Sequence, residues 1–234
     1  MALIDNINAY WKLDDLNDSV ASYHLTNNNS TPFNAAKIGN GADLGYPNST
    51  KHLSTTSLLG MSTATTDRTY AYWLKAPTFS GGATYHLDFG HGYSAIKNEY
   101  IGQISWDGSV IKHQVGYSHT GGGGAYNSTL YTITAGTWYH FALVRSGTTM
   151  YSYINGVEQE NNSAWNDNTG VTVIPDGFNI GNITRVVADF GVGVVDEFGV
   201  WSRALSASEI SSLYNSGVGL QYPFSSFIPL IMMS

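Results

Sequence analysis

The sequence predicts an all-β fold in a single domain, both from its composition and from its alternation of apolar and polar residues. The 234 residues include 16 Tyr, 9 Phe, 6 Trp and 26 Gly, which suit strands and tight turns better than helices. Hydrophobic residues make up 42% of the chain, enough for a sizeable core. Strand-like segments separated by turn residues recur along the whole length, so one β-sandwich is the expected domain count.

Two hairpins are predicted from alternating segments that flank Gly-containing turns. They pair residues 100–106 with 110–117, and residues 138–145 with 149–154. Asn155-Gly156 is the strongest short hairpin signal in the chain, because both turn positions require positive φ. Residues 158–170 follow as a predicted long polar loop.

One short helix is predicted near the C-terminus. Ser206 and Glu209 have the Ser-x-x-Glu spacing of a capping box, in which each side chain satisfies an unpaired backbone N–H of the first turn. Gly217 is the expected left-handed stop. Between them, one apolar face is formed at i, i+3 and i+4 by Ile210, Leu213 and Tyr214.

These parts occur in an order that resembles a known family. The run VDEFGVWSRALSASEI at 195–210 contains a predicted buried strand, a turn and the capped helix. Further matching segments lie at 9–15, 36–44, 69–75, 136–145, 151–157 and 178–182. Together they resemble the laminin G-like jelly rolls of the concanavalin A-like lectin/glucanase superfamily across residues 7–217.

The resemblance implies a two-sheet antiparallel jelly-roll β-sandwich with one short C-terminal helix, formed by residues 1–217. It also implies a Ca²⁺ site that ties an acidic loop to the sandwich through oxygen ligands. The candidate ligands are Asp14, Asp18, Asp43 and Asp196. The alternative is that these aspartates cap turns and accept hydrogen bonds from backbone amides.

Charge and composition exclude several classes of function. The net charge of −7 repels phosphate backbones and anionic membranes, so nucleic acid is not an expected partner. The chain has no cysteine and hence no disulfide, thiolate ligand or thiol nucleophile. Residues 1–6 do not resemble a secretory signal, and no apolar run is long enough to span a membrane. We therefore expect cytoplasmic synthesis, followed by a location in a virion or outside the cell.

The sequence does not predict an enzyme. Retaining glycosidases of this superfamily carry Glu-x-Asp-x-Glu on one strand, which directs the acids into one cleft. The five glutamates do not form that motif: Glu99, Glu158, Glu160, Glu197 and Glu209. Asp196 and Glu197 are adjacent, so on a regular strand they would point to opposite faces. A β-glucanase-like hydrolase with unrecognised acids remains the alternative from the enzyme class.

Aromatic and polar residues near predicted turns suggest a glycan-binding surface instead. Sugar faces stack on aromatic rings, and their hydroxyls bond to neutral polar groups. The candidates are Tyr93, Trp106, His113, His119, Tyr126 and Trp165. The other tryptophans alternate with apolar residues inside strands and are predicted to lie in the core: Trp11, Trp73, Trp138 and Trp201.

The segment 218–234 departs from the family, because it is an uncharged apolar tail with two prolines. It either folds back onto its own sandwich or docks into a neighbouring subunit, which makes a homo-oligomer or other virion subunits candidate partners. The candidate assembly residues are Tyr222, Phe224, Phe227, Ile228, Leu230 and Ile231.

The sequence therefore predicts a non-catalytic recognition or adhesion module that binds a cell-surface or extracellular glycan. The tail suggests display on a larger assembly such as a phage virion, as a decoration or fibre protein. A purely structural protein that cements capsid or tail subunits is the alternative outside the lectin class.

Overall fold

The protein forms two antiparallel β-sheets, as the sequence predicts. The structure, a computed structural model, describes residues 2–45, 50–57, 59–60, 67–78, 89–91, 98–106, 111–118, 131–147, 149–162, 177–181 and 193–224. Within these residues the two sheets, together with one short helix near the C-terminus, form a jelly-roll β-sandwich.

The first sheet has eight strands. They are β1 Ile7–Trp11, β3 Phe33–Ala35, β4 Asn40–Asp43, β6 Arg68–Lys75, β11 Trp138–Ser146, β12 Thr149–Ile154, β13 Val157–Asn162 and β15 Val194–Trp201. Their order across the sheet is β13-β12-β11-β6-β15-β4-β3, and β1 also pairs with β15. Since β15 bonds to β1, β4 and β6, segments from both ends of the chain meet on one strand.

The second sheet has seven strands. They are β2 Thr26–Asn28, β5 His52–Thr55, β7 Phe89–His91, β8 Asn98–Trp106, β9 Ile111–Ser118, β10 Tyr131–Ile133 and β14 Phe178–Ile180. Their order is β10-β9-β8-β7-β14-β5-β2. Both predicted hairpins are confirmed, as β8 with β9 and β11 with β12.

Aromatic rings fill the space between the sheets. Phe178 of the seven-stranded sheet stacks on Trp11 at 5.6 Å and on Tyr70 at 6.3 Å between ring centroids. It also meets Phe198 edge-on at 5.5 Å, and Phe198 stacks on Tyr72 at 5.2 Å. All five residues are buried, so this aromatic cluster joins the two sheets.

The predicted positions of the tryptophans are largely confirmed. Trp11, Trp73 and Trp201 are buried. Trp138 is only half-buried, because it begins β11 at the edge of the core, and the Lys75 ammonium lies 5.0 Å from its ring centroid.

The helix α1, Ala207–Tyr214, packs on the outer face of the eight-stranded sheet. Its capping box is formed as predicted by Ser206 and Glu209, and it buries Ile210 and Leu213. The outer face beneath the helix is apolar and includes Ala71, Ala142, Val144, Tyr153, Trp201 and Leu205. This sheet is therefore covered on both of its faces.

Two predicted boundaries are wrong. The helix is capped by Asn215 in the left-handed region (φ 48°), two residues before Gly217, because asparagine tolerates this conformation. The predicted loop from residue 158 begins as the strand β13. The Asn155-Gly156 turn, with φ of 51° and 78°, returns the chain so that its backbone pairs with β12 despite the polar side chains.

The described part of the tail folds back onto its own sandwich. Phe224 lies 5.3 Å from Tyr10 and 6.1 Å from Trp201 between ring centroids, and Tyr222 lies 5.8 Å from Tyr10. Two of the six candidate assembly residues thus pack within the chain, whereas the other four lie outside the described residues. Among the helices of the described chain, none is long and apolar enough to cross a membrane.

Truncation of Phe198 is expected to destabilise the protein strongly. Phe198→Ala should lower the free energy of unfolding by about 3 to 5 kcal/mol, because it leaves a cavity within the ring cluster. Val157→Ala, at a side chain that is 62% exposed, is the control and should have little effect. Urea denaturation followed by tryptophan fluorescence measures both. A small loss for Phe198→Ala would contradict its place between the sheets.

Candidate functional site

A groove lies on the outer face of the eight-stranded sheet, where α1 begins. Its volume is about 670 Å³, within the usual size range of small-ligand sites. Strands β11 and β12 form one side of the groove, and residues 203–209, the approach to α1 and its first turn, form the other. The groove exists because the helix packs over only part of this apolar face.

Two tyrosines of β12 contribute an aromatic surface to the groove. Tyr151 and Tyr153 are two positions apart, so both point to the outer face of the sheet. Val144 of β11 is the ladder partner of Tyr151 and extends this surface. Tyr153 is buried and donates a hydrogen bond to Glu158 Oε2 at 3.2 Å, whereas Tyr151 is half-buried. Burial, and then the charge of Glu158, raises the pKa of Tyr153 to about 12, so its hydroxyl stays neutral.

An ion pair builds the opposite wall. Arg203 donates from Nη1 and Nη2 to the two carboxylate oxygens of Glu209, at 3.0 and 2.7 Å. Its Nε and Nη2 also donate to the carbonyls of Asp5 and Ala2, at 2.8 and 2.9 Å. The hydrogen bonds from Arg203 lower the pKa of Glu209 to about 2, so the pair is ionised at neutral pH. Because Arg203 is largely buried and doubly bonded, it holds the wall in place.

Hydroxyl groups and one carboxylate complete the groove. Ser206 Oγ and Ser208 Oγ lie 3.0 Å apart at the start of α1, and Ser146 lies at the end of β11. Asp67 accepts a hydrogen bond from the Gly147 amide at 2.7 Å and is exposed. An aromatic surface combined with hydroxyls and a carboxylate suits a flat ligand that carries many hydroxyl groups.

Sequence reasoning missed this groove. The alternation of Tyr151 and Tyr153 gives a weak signal for it, since the pattern also fits an ordinary buried face. The sequence predicts a capping role for Ser206, which it does perform, and gives no signal that this serine also lines a groove. The groove is formed by three segments that lie far apart in the chain, at Asp67, at residues 144–153 and at residues 203–209, and their approach cannot be read from spacing.

The prediction that Asp196 and Glu197 point to opposite faces is wrong. A bulge interrupts the pairing of β15 with β6 after Asp196, and Glu197 adopts a left-handed backbone with φ 52°. Val195 and Phe198 on either side both belong to the core between the sheets. The two carboxyl groups therefore share the outer face, because the bulge inserts one extra residue into the alternation.

The carboxyl pair is buried beneath the tail. Glu197 accepts hydrogen bonds from Tyr10 Oη at 2.6 Å and from Gln221 Nε2 at 2.5 Å, and Asp196 Oδ2 accepts from the Ile38 amide at 2.8 Å. Burial raises the pKa of Asp196 to about 8 and that of Glu197 to about 7. With exposures of 0% and 4%, both acids are enclosed by the protein: Glu197 holds Gln221 of the tail, and Asp196 holds the Ile38 amide.

Two of the sequence-predicted glycan residues lie in the other sheet, away from the groove. Trp106 and His113 lie on β8 and β9 of the seven-stranded sheet, where Trp106 pairs with Ile111 and His113 with Ile104. They are therefore on neighbouring strands, two register positions apart, in the other sheet. The remaining candidates lie outside the described residues: Tyr93, His119, Tyr126 and Trp165. A site built from this set stays a prediction.

Asp18 is fully occupied as an acceptor for backbone amides. Its two carboxylate oxygens accept from the amides of Tyr10, Val20 and Ala21 at 3.0 Å, and of Tyr23 at 3.2 Å. A carboxylate has about four lone-pair sites, so the described geometry leaves none of them for a cation. Asp18 therefore ties the first loop to β1 without a metal ion.

Of the other three candidate calcium ligands, Asp196 accepts from the Ile38 amide through one of its two oxygens, and Asp14 and Asp43 also accept hydrogen bonds. Asp14 accepts from the Asn40 amide at 2.7 Å, and Asp43 accepts from Asn34 Nδ2 and the Gly45 amide, both at 3.0 Å. Across the described segments, acidic and histidine side chains form no group of three or more that could hold a metal ion. These aspartates do not fit a shared calcium site, and calcium binding stays a prediction.

The fold is a β-sandwich of two antiparallel sheets with a groove on its outer face. The family model of the concanavalin A-like lectin/glucanases superfamily, Laminin_G_3, matches residues 47–211. The chain therefore belongs to this family. No curated protein sequence matches the chain.

Solved structures share this fold. One is domain 4 of AbnA, a GH43 extracellular arabinanase from Geobacillus stearothermophilus, in complex with arabinotriose. It is 19% identical with a TM-score of 0.61, and the match covers 88% of this chain and 97% of that one. Another is the botulinum neurotoxin serotype D ligand-binding domain in complex with N-acetylneuraminic acid, 13% identical with a TM-score of 0.64. There the match covers 90% of this chain but only 51% of the other.

Removal of the Glu197 charge is expected to change how stability depends on pH. The folded-state pKa of Glu197, about 7, lies above the ordinary value of 4.5. The contribution of its proton to the free energy of unfolding is therefore fully present below pH 4.5 and is lost as the pH rises through 7. The stability of the wild type relative to Glu197→Gln should therefore fall by up to about 1.4 kcal/mol per pH unit in this window.

Urea denaturation of both proteins between pH 4 and 8 measures this difference. The two stabilities must be subtracted, because His140 also makes stability depend on pH. Burial lowers the pKa of His140 to about 3, so its contribution to stability rises with pH in the wild type and in the variant alike. Asp15→Asn, at an exposed acid, is the control substitution. A difference that is independent of pH would contradict the burial of Glu197.

Proposed function

We propose that the protein is a non-catalytic carbohydrate-recognition module that binds its ligand in the groove beside α1. The observation that carries the proposal is the combination of Tyr151 and Tyr153 with the hydroxyls of Ser146, Ser206 and Ser208 in one cavity. Sugars offer a ring face to aromatic residues and hydroxyls to polar groups, which is the chemistry that this groove provides.

The comparisons support a carbohydrate ligand. Two proteins with this fold were solved in complex with a saccharide, arabinotriose in one and N-acetylneuraminic acid in the other. The fold alone does not fix a function, because the superfamily name itself covers lectins and glucanases. The groove residues therefore carry the proposal, and the relatives indicate the class of ligand.

A binding role suits the described acids better than hydrolysis does. A glycosidase needs two carboxyl groups that both face the substrate. In the groove, Glu209 is held by Arg203, so Asp67 is the one acid without a counter-charge among the described lining residues. Glu197 is bonded by Tyr10 and Gln221, and Asp196 is fully buried, so neither faces the groove.

Binding should depend on the ring of Tyr151. In a glycan array followed by isothermal titration calorimetry, Tyr151→Ala should weaken binding of the wild-type ligand by about 1 to 3 kcal/mol, or roughly 5- to 150-fold, through loss of the aromatic surface. Tyr151→Phe keeps the ring and is the matched control. Trp106→Ala and His113→Ala test the alternative surface. Loss of binding in those two variants alone would place the ligand on the seven-stranded sheet instead.

We also propose display on a larger assembly such as a virion, through residues beyond Phe224. The support is the composition of residues 225–234, which are uncharged and rich in Phe, Ile, Leu and Met. Residues 220–224 do not offer the same support, because they pack on Tyr10 and Trp201 of their own chain.

Two truncations separate assembly from folding. A chain that ends at Phe224 should keep the melting temperature of the full protein but lose its self-association in light scattering. A chain that ends at Gly219 should melt lower, because it also loses Tyr222, Phe224 and the Gln221 hydrogen bond to Glu197. A full-length protein that is monomeric at all concentrations would contradict a self-assembling tail.

A further inference from the structure

Glu209 neutralises both positive features of the groove. Its carboxylate binds the guanidinium of Arg203 through two hydrogen bonds, and it lies in the first turn of α1, at the positive end of the helix. It also closes the capping box by accepting from the Ser206 amide at 2.9 Å. An anion that entered the groove could not pair with Arg203 or with the helix N-terminus, because Glu209 already pairs with both.

Arg203 has no guanidinium nitrogen left without a protein acceptor. Its three nitrogens donate to Glu209 and to the carbonyls of Asp5 and Ala2. The side chain is 8% exposed, so it cannot turn toward a ligand without breaking these bonds. Among the described residues that line the groove, there is no other Lys or Arg.

Asp67 leaves one negative charge uncompensated at the groove. Three charged residues belong to the described part of the lining: the charges of Arg203 and Glu209 cancel, and Asp67 is exposed with a single described partner, the Gly147 amide. A carboxylated sugar would meet this charge and would also lose water without gaining a cation. A neutral sugar could donate a hydroxyl hydrogen to the same carboxylate.

We propose that the groove selects neutral saccharides over acidic ones, including those that end in N-acetylneuraminic acid. The inference rests on the proposed function and specifies the ligand class of the same site. Specificity arises from favourable contacts with one ligand and from unfavourable contacts with its competitor. Here the tyrosines and hydroxyls favour any sugar, while Asp67 and the paired Arg203 disfavour a carboxylate.

A matched pair of probes tests the inference. Lactose and sialyllactose share a neutral core and differ by one acidic sugar, and arabinotriose serves as a second neutral probe. Titration calorimetry at low salt should show the neutral probes binding at least about tenfold more tightly than sialyllactose. Asp67→Asn retains an acceptor for the Gly147 amide and should reduce the difference in affinity between the neutral and the acidic probes. Tyr151→Ala should instead weaken the binding of the neutral probes.

The outcomes separate this inference from the function on which it rests. Equal or tighter binding of sialyllactose that depends on Tyr151 would overturn the charge selection and keep the carbohydrate site. Binding of neutral probes that is unaffected by Tyr151→Ala would overturn the assignment to this groove. Failure of all probes, together with an empty glycan array, would contradict the proposed function itself.

Discussion

Strand β15 is buried on both of its faces, and the positions of the core, the tail and the groove all depend on it. It pairs with β6 along its length, with β4 at its start and with β1 at its end. Its inward residues join the aromatic cluster, while Trp201 and the displaced Glu197 face the outer layer. The bulge at Asp196 allows one strand to serve both layers, because it turns two acids outward without disturbing the inward position of Phe198.

The outer layer closes the sandwich with the segment that follows β15. Arg203 and Glu209 fix the first turn of α1 above the sheet, and Gln221 returns the chain to Glu197. The groove is the part of this face that the layer leaves open, beside Tyr151. The structural role and the proposed binding role therefore share residues, since the ion pair that anchors the helix also removes the positive charge that an acidic ligand would need.

The fold could be predicted from the sequence to a large extent, but the site could not. Ser206 and Glu209 predicted the helix start because capping is a local interaction, and Asn155-Gly156 predicted its turn for the same reason. The error at Glu197 arose because a bulge breaks the period of two without a sequence signal of its own. The groove depends on non-local packing of α1 against β11 and β12, which residue spacing does not encode.

The proposal that the groove beside α1 is the carbohydrate site can be tested by an NMR titration. Amide shifts of the full-length protein would be followed as arabinotriose is added. If the ligand binds in the groove, the largest chemical-shift changes should lie in β11, β12 and residues 203–209. Tyr151→Ala should remove these changes. Chemical-shift changes confined to β8 and β9, with the groove residues unchanged, would contradict the assignment of the carbohydrate site to this groove.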